Sequence, residues 1–127
     1  MSLLARLTGG RSTHDLSPAE AAAAAADGSI RLVDVREPDE IREGHCPDAE
    51  LIPLGRLAAE LPRLAKADTP VAFVCRSGAR SSRAVAAAKV SGIDARNVTG
   101  GMMAWQRAGV PVHTGAPVKK KAKKKLF

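Results

Sequence analysis

Val71-Ala72-Phe73-Val74-Cys75-Arg76-Ser77-Gly78-Ala79-Arg80-Ser81 is the stretch that decides the fold. Four apolar residues after a Thr69-Pro70 turn read as a short buried strand that stops at Cys75. A loop of small and basic residues comes next. A helix is predicted from about Ser81 to Ser91, with Ala84, Val85, Ala88 and Val90 available to a core and Gly92 as its C-cap. Strand, tight loop and helix together make the first part of a βαβ unit.

Working outward, the same alternation repeats. Downstream, residues 93–99 hold a last short strand around Asn97-Val98. Gly100-Gly101 turns into a short helix containing Trp105, Gly109 ends it, and Val110-Pro111-Val112 closes the domain. Upstream, Leu57, Leu61 and Leu64 recur at helical spacing, with Pro62 placed to kink or divide that helix. Residues 49–53 and 31–35 read as strands, and residues 37–44 as a short helix between them. Ser17-Pro18-Ala19-Glu20 is a capping box with proline at the first helical position, followed by alanines 21–26 and the stop Asp27-Gly28. There is no internal repeat. The pattern predicts an α/β domain with a mostly parallel central sheet of about five short strands and helices on both faces. Sites in such sheets lie beyond the carboxyl ends of the strands. Here those ends carry Asp34-Val35-Arg36, residues 75–81 and Thr99-Gly100-Gly101.

Composition narrows the function. The chain has 127 residues, enough for one domain, and 45% of them are apolar. Aromatics are 2%, limited to Phe73, Trp105 and Phe127, so the core is built from Ala, Val, Leu and Ile, and base-stacking platforms are excluded. Two cysteines exclude a disulfide-stapled miniprotein and a four-thiolate zinc site. No apolar run approaches the ~20 residues of a membrane span, and Arg6 interrupts the short apolar start. The expectation is a soluble cytoplasmic protein. The net charge of +7 comes largely from Lys119, Lys120, Lys121, Lys123, Lys124 and Lys125, and the rest of the chain is close to neutral. Residues 1–13 read as a loosely held entry, residues 14–113 as the domain, and residues 114–127 as a solvated, extended, disordered tail. The alternative role for that tail is a tether to anionic lipid or nucleic acid, which would fade with salt.

The chemistry concentrates at Cys75. Helix-start amides, the helix dipole, Arg76 and Arg80 all favour thiolate over thiol. The same amides form an anion nest, and Gly78 supplies the left-handed backbone such a loop needs. The bland alternative is a small buried hydrophobe. Taken by its residues, the loop is a nucleophile beside an anion cradle.

Four pieces in this order resemble the small single-domain rhodanese family. They are Leu32-Val33-Asp34-Val35-Arg36-Glu37, Glu43-Gly44-His45-Cys46-Pro47-Asp48-Ala49, residues 75–81, and Gly100-Gly101-Met102-Met103-Ala104-Trp105. The resemblance spans about residues 15–112. It implies a thiosulfate sulfurtransferase in which Cys75 attacks the outer sulfur of a small anionic donor, keeps it as a persulfide and passes it to cyanide, a small thiol or an acceptor protein. Arg76, Ser77, Gly78, Ala79, Arg80 and Ser81 would bind the anion. No metal and no organic cofactor is implied. Related cysteine phosphatases carry five residues between Cys and the closing Arg. This chain has four between Cys75 and Arg80, which leaves less room for phosphate. A low-turnover binding or sensing module is the competing reading.

Asp34 and Arg36 read either as a structural ion pair or turn cap, or as the edge of the site. Gly100 and Gly101 are placed to let backbone approach the Cys75 loop. Trp105 reads as core. Cys46 departs from the family pattern, which has an aliphatic residue there, and reads as a buried inert thiol or a resolving cysteine. His14 and His45 are too scattered for a metal site, and His113 is predicted past the domain edge, in solvent.

Overall fold

A computed structural model describes residues 15–115. The predicted entry segment 1–13, His14 and the lysine run therefore lie outside the described residues.

The elements follow the predicted order: α1 Pro18–Ala26, β1 Arg31–Asp34, α2 Pro38–Ile41, β2 Glu50–Leu51, a 3₁₀ turn Leu54–Arg56, α3 Leu57–Lys66, β3 Val71–Val74, α4 Ala79–Val90, β4 Ala95–Asn97 and α5 Gly101–Arg107. The strands form one parallel sheet in the order β2-β1-β3-β4. Among the described residues the sheet has four strands where about five were expected, and Leu16 adds a single parallel bridge to Val98 beside β4. Leu16 N donates to Asn97 O at 3.0 Å, and Thr99 N donates to Leu16 O at 2.8 Å.

Alternation along the strands sorts side chains onto two faces. Val33, Val35, Val71, Phe73, Cys75 and Ala95 pack with Leu57, Leu61, Leu64, Ala84 and Ala88 of α3 and α4. Leu32, Ala72, Val74 and Val98 pack with Ala21, Ala24, Met102 and Trp105 of α1 and α5. Alanines on α1 let that helix sit close to the sheet, and the Ser17–Glu20 box caps it with two reciprocal bonds of 3.1 and 2.9 Å. Helix α3 stays continuous through Pro62. The proline and Ala58, whose carbonyl loses its partner, are both exposed, so that carbonyl faces solvent rather than the core.

Two expectations are corrected. Val90 is 90% exposed rather than core-facing, because it lies about 200° around α4 from Ala88, while Ser81, Ala84 and Ala88 form the inner stripe. His113 is exposed, yet it lies within the fold. His45 N donates to its carbonyl at 2.9 Å, its own amide donates to His45 O at 2.8 Å, and Gly115 N donates to Arg42 O at 2.8 Å.

The strand order reverses between β1 and β3: the chain leaves β1 towards β2 and leaves β3 towards β4. This switch point is where the loops after β1 and β3 part and a site can open. Core packing is testable separately from it. Leu64→Ala, at a fully buried position, should cost about 2–5 kcal/mol in urea unfolding, whereas Val90→Ala should stay within about 0.5 kcal/mol of the parent.

Candidate functional site

Helix α4 starts two residues before the predicted Ser81. Gly78 is its N-cap, in the left-handed region at φ +116°, and has no side chain to cap with. The first-turn amides need an acceptor, and Cys75 Sγ provides it. Gly78 N donates to the sulfur at 3.0 Å, Ser81 N at 3.4 Å and Ser81 Oγ at 3.4 Å. The thiol thus does the work of a capping side chain from three residues upstream. Cys75 is 1% exposed, and burial pushes its pKa up. The Ser81 hydroxyl and the amides of Ser81, Gly78 and Ser77 outweigh that burial, and the pKa lies below the ordinary thiol value.

The other loop residues divide. Arg76, Ser77 and Ala79 are exposed. Arg76 has no ion-pair partner among the described residues. Arg80 does not stand free over the loop: its guanidinium forks onto Glu40 of α2, with Nη1–Oε1 2.7 Å and Nη2–Oε2 2.8 Å. Arg80 holds the Glu40 carboxyl down at about 2, well below the usual carboxylate range, against a smaller opposing effect of partial burial.

Asp34 and Arg36 do pair. Arg36 Nη2 donates to Asp34 Oδ2 at 2.8 Å and Nε to Oδ1 at 3.0 Å, with both side chains buried. The remaining guanidinium bonds go to Glu40 O at 3.3 Å and Gly44 O at 2.8 Å. The pair therefore fixes α2, and α2 presents Glu40 to Arg80. Ion pairs join the β1 loop to the Cys75 loop across the switch point.

Gly101 makes the predicted close approach. At φ +60° a Cβ there would overlap the carbonyl oxygens of Cys75 and Arg76. Met102 N and Met103 N donate to those same carbonyls at 2.8 and 3.0 Å. Gly100, also left-handed, instead faces Ala104 of its own helix. The start of α5 thus holds the backbone on which Cys75 sits.

Asn97 is the residue that sequence reading missed. From β4 its Oδ1 lies 2.5 Å from Ser81 Oγ, and its Nδ2 donates to Ser82 Oγ at 2.9 Å and Gly78 O at 3.3 Å. The available signal was a polar residue within the last predicted strand, residues 93–99.

Cys46 is fully buried in the core of the α1–α5 face, its Sγ 3.6 Å from Met102 Sδ, and burial pushes its thiol well above the ordinary range. It belongs to the face opposite Cys75, which leaves the inert-thiol reading. Trp105 is core, and its Nε1 donates to Pro111 O at 3.1 Å. His45 is buried with Nδ1 3.1 Å from Ile41 O. No cluster of three or more metal-ligating side chains occurs among the described residues. No helix among them is long and apolar enough to cross a membrane.

These features define a parallel α/β domain that presents one cysteine, stabilised by backbone amides, at a sheet switch point. The rhodanese-like domain family matches residues 17–108, and the chain belongs to that family. It is 41% identical over 81 residues to the putative sulfurtransferase YtwF of Bacillus subtilis, covering 64% of this chain and 78% of that protein. It is 39% identical over 84 residues to a sulfurtransferase of Allochromatium vinosum, covering 65% and 78%. Among solved structures, a protein of unknown function from Rhodopseudomonas palustris, described as a possible tyrosine phosphatase, matches with a TM-score of 0.71. That match has 30% identity and covers 79% of this chain and 84% of that one.

Two outcomes check the site's supports. Gly101→Ala should destabilise the fold by about 1–3 kcal/mol and slow alkylation of Cys75, since the clashing atoms are backbone and cannot swing away. The Glu40 carboxyl should titrate with a midpoint near 2 by carbon-detected NMR. Because its folded pKa is lowered, its contribution to stability is complete above the ordinary carboxylate pKa and is lost as pH falls towards 2. A midpoint near 4.5 would show that the Arg80 pair does not form in solution.

Proposed function

We propose that this protein is a sulfurtransferase that carries a sulfane sulfur on Cys75. The observation that carries the reading is the sulfur of Cys75 accepting hydrogen bonds from Gly78 N and Ser81 N, with the Ser81 hydroxyl within reach at 3.4 Å. A thiolate in that cradle attacks the outer sulfur of thiosulfate or of a persulfide donor. The new bond joins Cys75 Sγ to the transferred sulfur. The donor's S–S bond breaks, and its electron pair leaves with sulfite or with the donor thiolate. The product is a Cys75 persulfide anion. Cyanide, a small thiolate or the cysteine of an acceptor protein then takes the outer sulfur, and the Sγ electron pair returns to regenerate the thiolate. Charge is conserved in both steps, and the chemistry calls on no metal or organic cofactor.

The loop residues take distinct parts in this reading. The amides that open α4 hold negative charge at or next to Sγ in both the thiolate and the persulfide. Arg76, exposed and unpaired among the described residues, draws in a dianionic donor. Ser77 and Ala79 line the approach. Arg80 adds its charge from behind while committed to Glu40. A reducing cytoplasm suits a reaction that starts from a free thiol.

Phosphate ester hydrolysis is the neighbouring chemistry that the Rhodopseudomonas structure raises. The four-residue interval from Cys75 to Arg80, and the fork of Arg80 onto Glu40, leave no free guanidinium closing a phosphate ring. Cys75-dependent turnover of an aryl phosphate would reverse that ranking.

The direct test is mass. Reduced protein incubated with thiosulfate, or with a small persulfide donor, should gain one sulfur atom on the Cys75 peptide, and Cys75→Ser should abolish the gain. Arg76→Ala should raise KM for thiosulfate about tenfold with a smaller effect on kcat. No adduct from either donor sinks the reading. An adduct that neither cyanide nor thiols discharge would make the protein a sensing module rather than a transferase.

A further inference from the structure

Ser81 Oγ carries one proton and has three acceptors in reach: Asn97 Oδ1 at 2.5 Å, Gly78 O at 3.2 Å and Cys75 Sγ at 3.4 Å. One O–H makes one strong bond, so these contacts compete. The nearest acceptor is also the best fixed. The Asn97 carboxamide is anchored through Nδ2 to Ser82 Oγ at 2.9 Å and to Gly78 O at 3.3 Å. Its backbone is held on both sides: Asn97 N donates to Asp15 Oδ1 at 3.1 Å, and its carbonyl accepts from Leu16 N at 3.0 Å. Turning the carboxamide over would set Oδ1 against Gly78 O. Its oxygen is thus held towards Ser81.

We propose that Asn97 is a positioning residue that draws the Ser81 proton away from Cys75 Sγ and so limits how far the site stabilises the thiolate. Asn97 bonds to Ser81, Ser82 and Gly78 and acts on the sulfur through the hydroxyl between them. The consequence is a balance. A thiolate that accepts every available donor is abundant but a weaker nucleophile, because nucleophilicity falls as thiol acidity rises. By keeping one donor partly engaged, Asn97 leaves the two amides as the main support of the charge and keeps Sγ reactive.

The charged groups around Cys75 are Arg76 and Arg80 on its own loop, Glu40 of α2 through Arg80, and the Asp34–Arg36 pair after β1. On β4, Arg96 is engaged by Asp94. The hydrogen bonds of the Asn97 side chain go to none of these, so substitution there removes no charge from around the sulfur, and the S81A background separates the hydroxyl from the Ser82 and Gly78 contacts. The functional consequence rests on Cys75 as the sulfur-carrying nucleophile, but the test uses no sulfur donor.

The experiment is the pH profile of Cys75 alkylation by iodoacetamide, read on the Cys75 peptide, for the full chain and for N97A, S81A, N97A/S81A and N97D. Thermal unfolding of each variant establishes that it folds. The N97A midpoint should fall by about half to one pH unit as the hydroxyl turns to the sulfur, and the limiting rate at high pH should drop. The S81A midpoint should rise. Adding N97A to S81A should then move nothing, and N97D, which keeps an oxygen facing Ser81, should show no fall. A rise or no change in N97A, or an equal shift in the S81A background, overturns the proposal, because Asn97 would then act only by holding the loop. Shifts as stated without any persulfide would sink the sulfurtransferase reading alone. Persulfide formation with an unmoved N97A midpoint would sink this inference alone.

Discussion

The first turn of any α-helix leaves amides without partners, and in α4 the sulfur of Cys75 takes two donors from the Gly78–Ser81 turn. The usual solution is a Ser, Thr, Asp or Asn at the cap, worth about 1 kcal/mol. Here the cap position is a left-handed glycine, which turns the chain so that a residue three places earlier can reach the same amides. The arrangement couples a helix to a nucleophile. A thiolate is a stronger acceptor than a thiol, so the bonds that lower the Cys75 pKa also steady the start of α4. With the folded pKa below the unfolded one, that stabilisation is complete above the ordinary thiol pKa and lost as pH falls through the depressed value.

Such a cap works only if the sulfur cannot move, and the remainder of the site restrains it. Cys75 follows directly on the central strand β3, which has parallel neighbours on both sides. The carbonyls of Cys75 and Arg76, which are not used within the sheet, are held by the amides of Met102 and Met103. Only glycine at 101 lets α5 come close enough to do this. On the other flank the Asp34–Arg36 pair sets α2, and Glu40 of α2 draws Arg80 out of the loop. A buried pair of this sort adds little stability by itself, since desolvation offsets most of the attraction. What it contributes is a fixed direction for a neighbouring guanidinium. Three loops at the switch point thereby act as one frame.

The parts of this frame visible in the sequence are those with local causes. Apolar runs bounded by turn residues locate the strands, and the Ser17–Glu20 box locates α1, because period and capping chemistry act within a few residues. The cysteine, its glycine and its helix are legible for the same reason. The start of α4 is displaced to Ser81 in a sequence reading because a serine at a helix entrance looks like a cap, whereas the acceptor is a sulfur outside the helix. Arg80 looks free because its partner lies 40 residues away on α2, and Asn97 escapes notice because its partner, Ser81, is 16 residues away across the β3–β4 crossover. Val90 belongs to the core by residue type alone, while the inner stripe of α4 passes through Ser81, whose hydroxyl faces the site.

The two cysteines make an internal comparison that separates burial from chemistry. Cys46 and Cys75 are equally hidden, at 0% and 1% exposure. Burial raises both pKa values, and at Cys46 it prevails: its Sγ meets the soft sulfur of Met102, and the Asp34 carboxylate adds to the rise. At Cys75 the burial penalty is overcome by one hydroxyl and a set of amides aimed at the sulfur. Solvent exposure is therefore not the property that distinguishes a reactive thiol from an inert one in this fold. The distinction lies in the helix that opens directly after β3 and aims its first amides at Cys75. Cys75 falls on the face where α4 begins against it, and Cys46 lies in the core of the opposite face. Exchanging the donors around the two sulfurs would exchange their chemistry without altering how deeply either is buried.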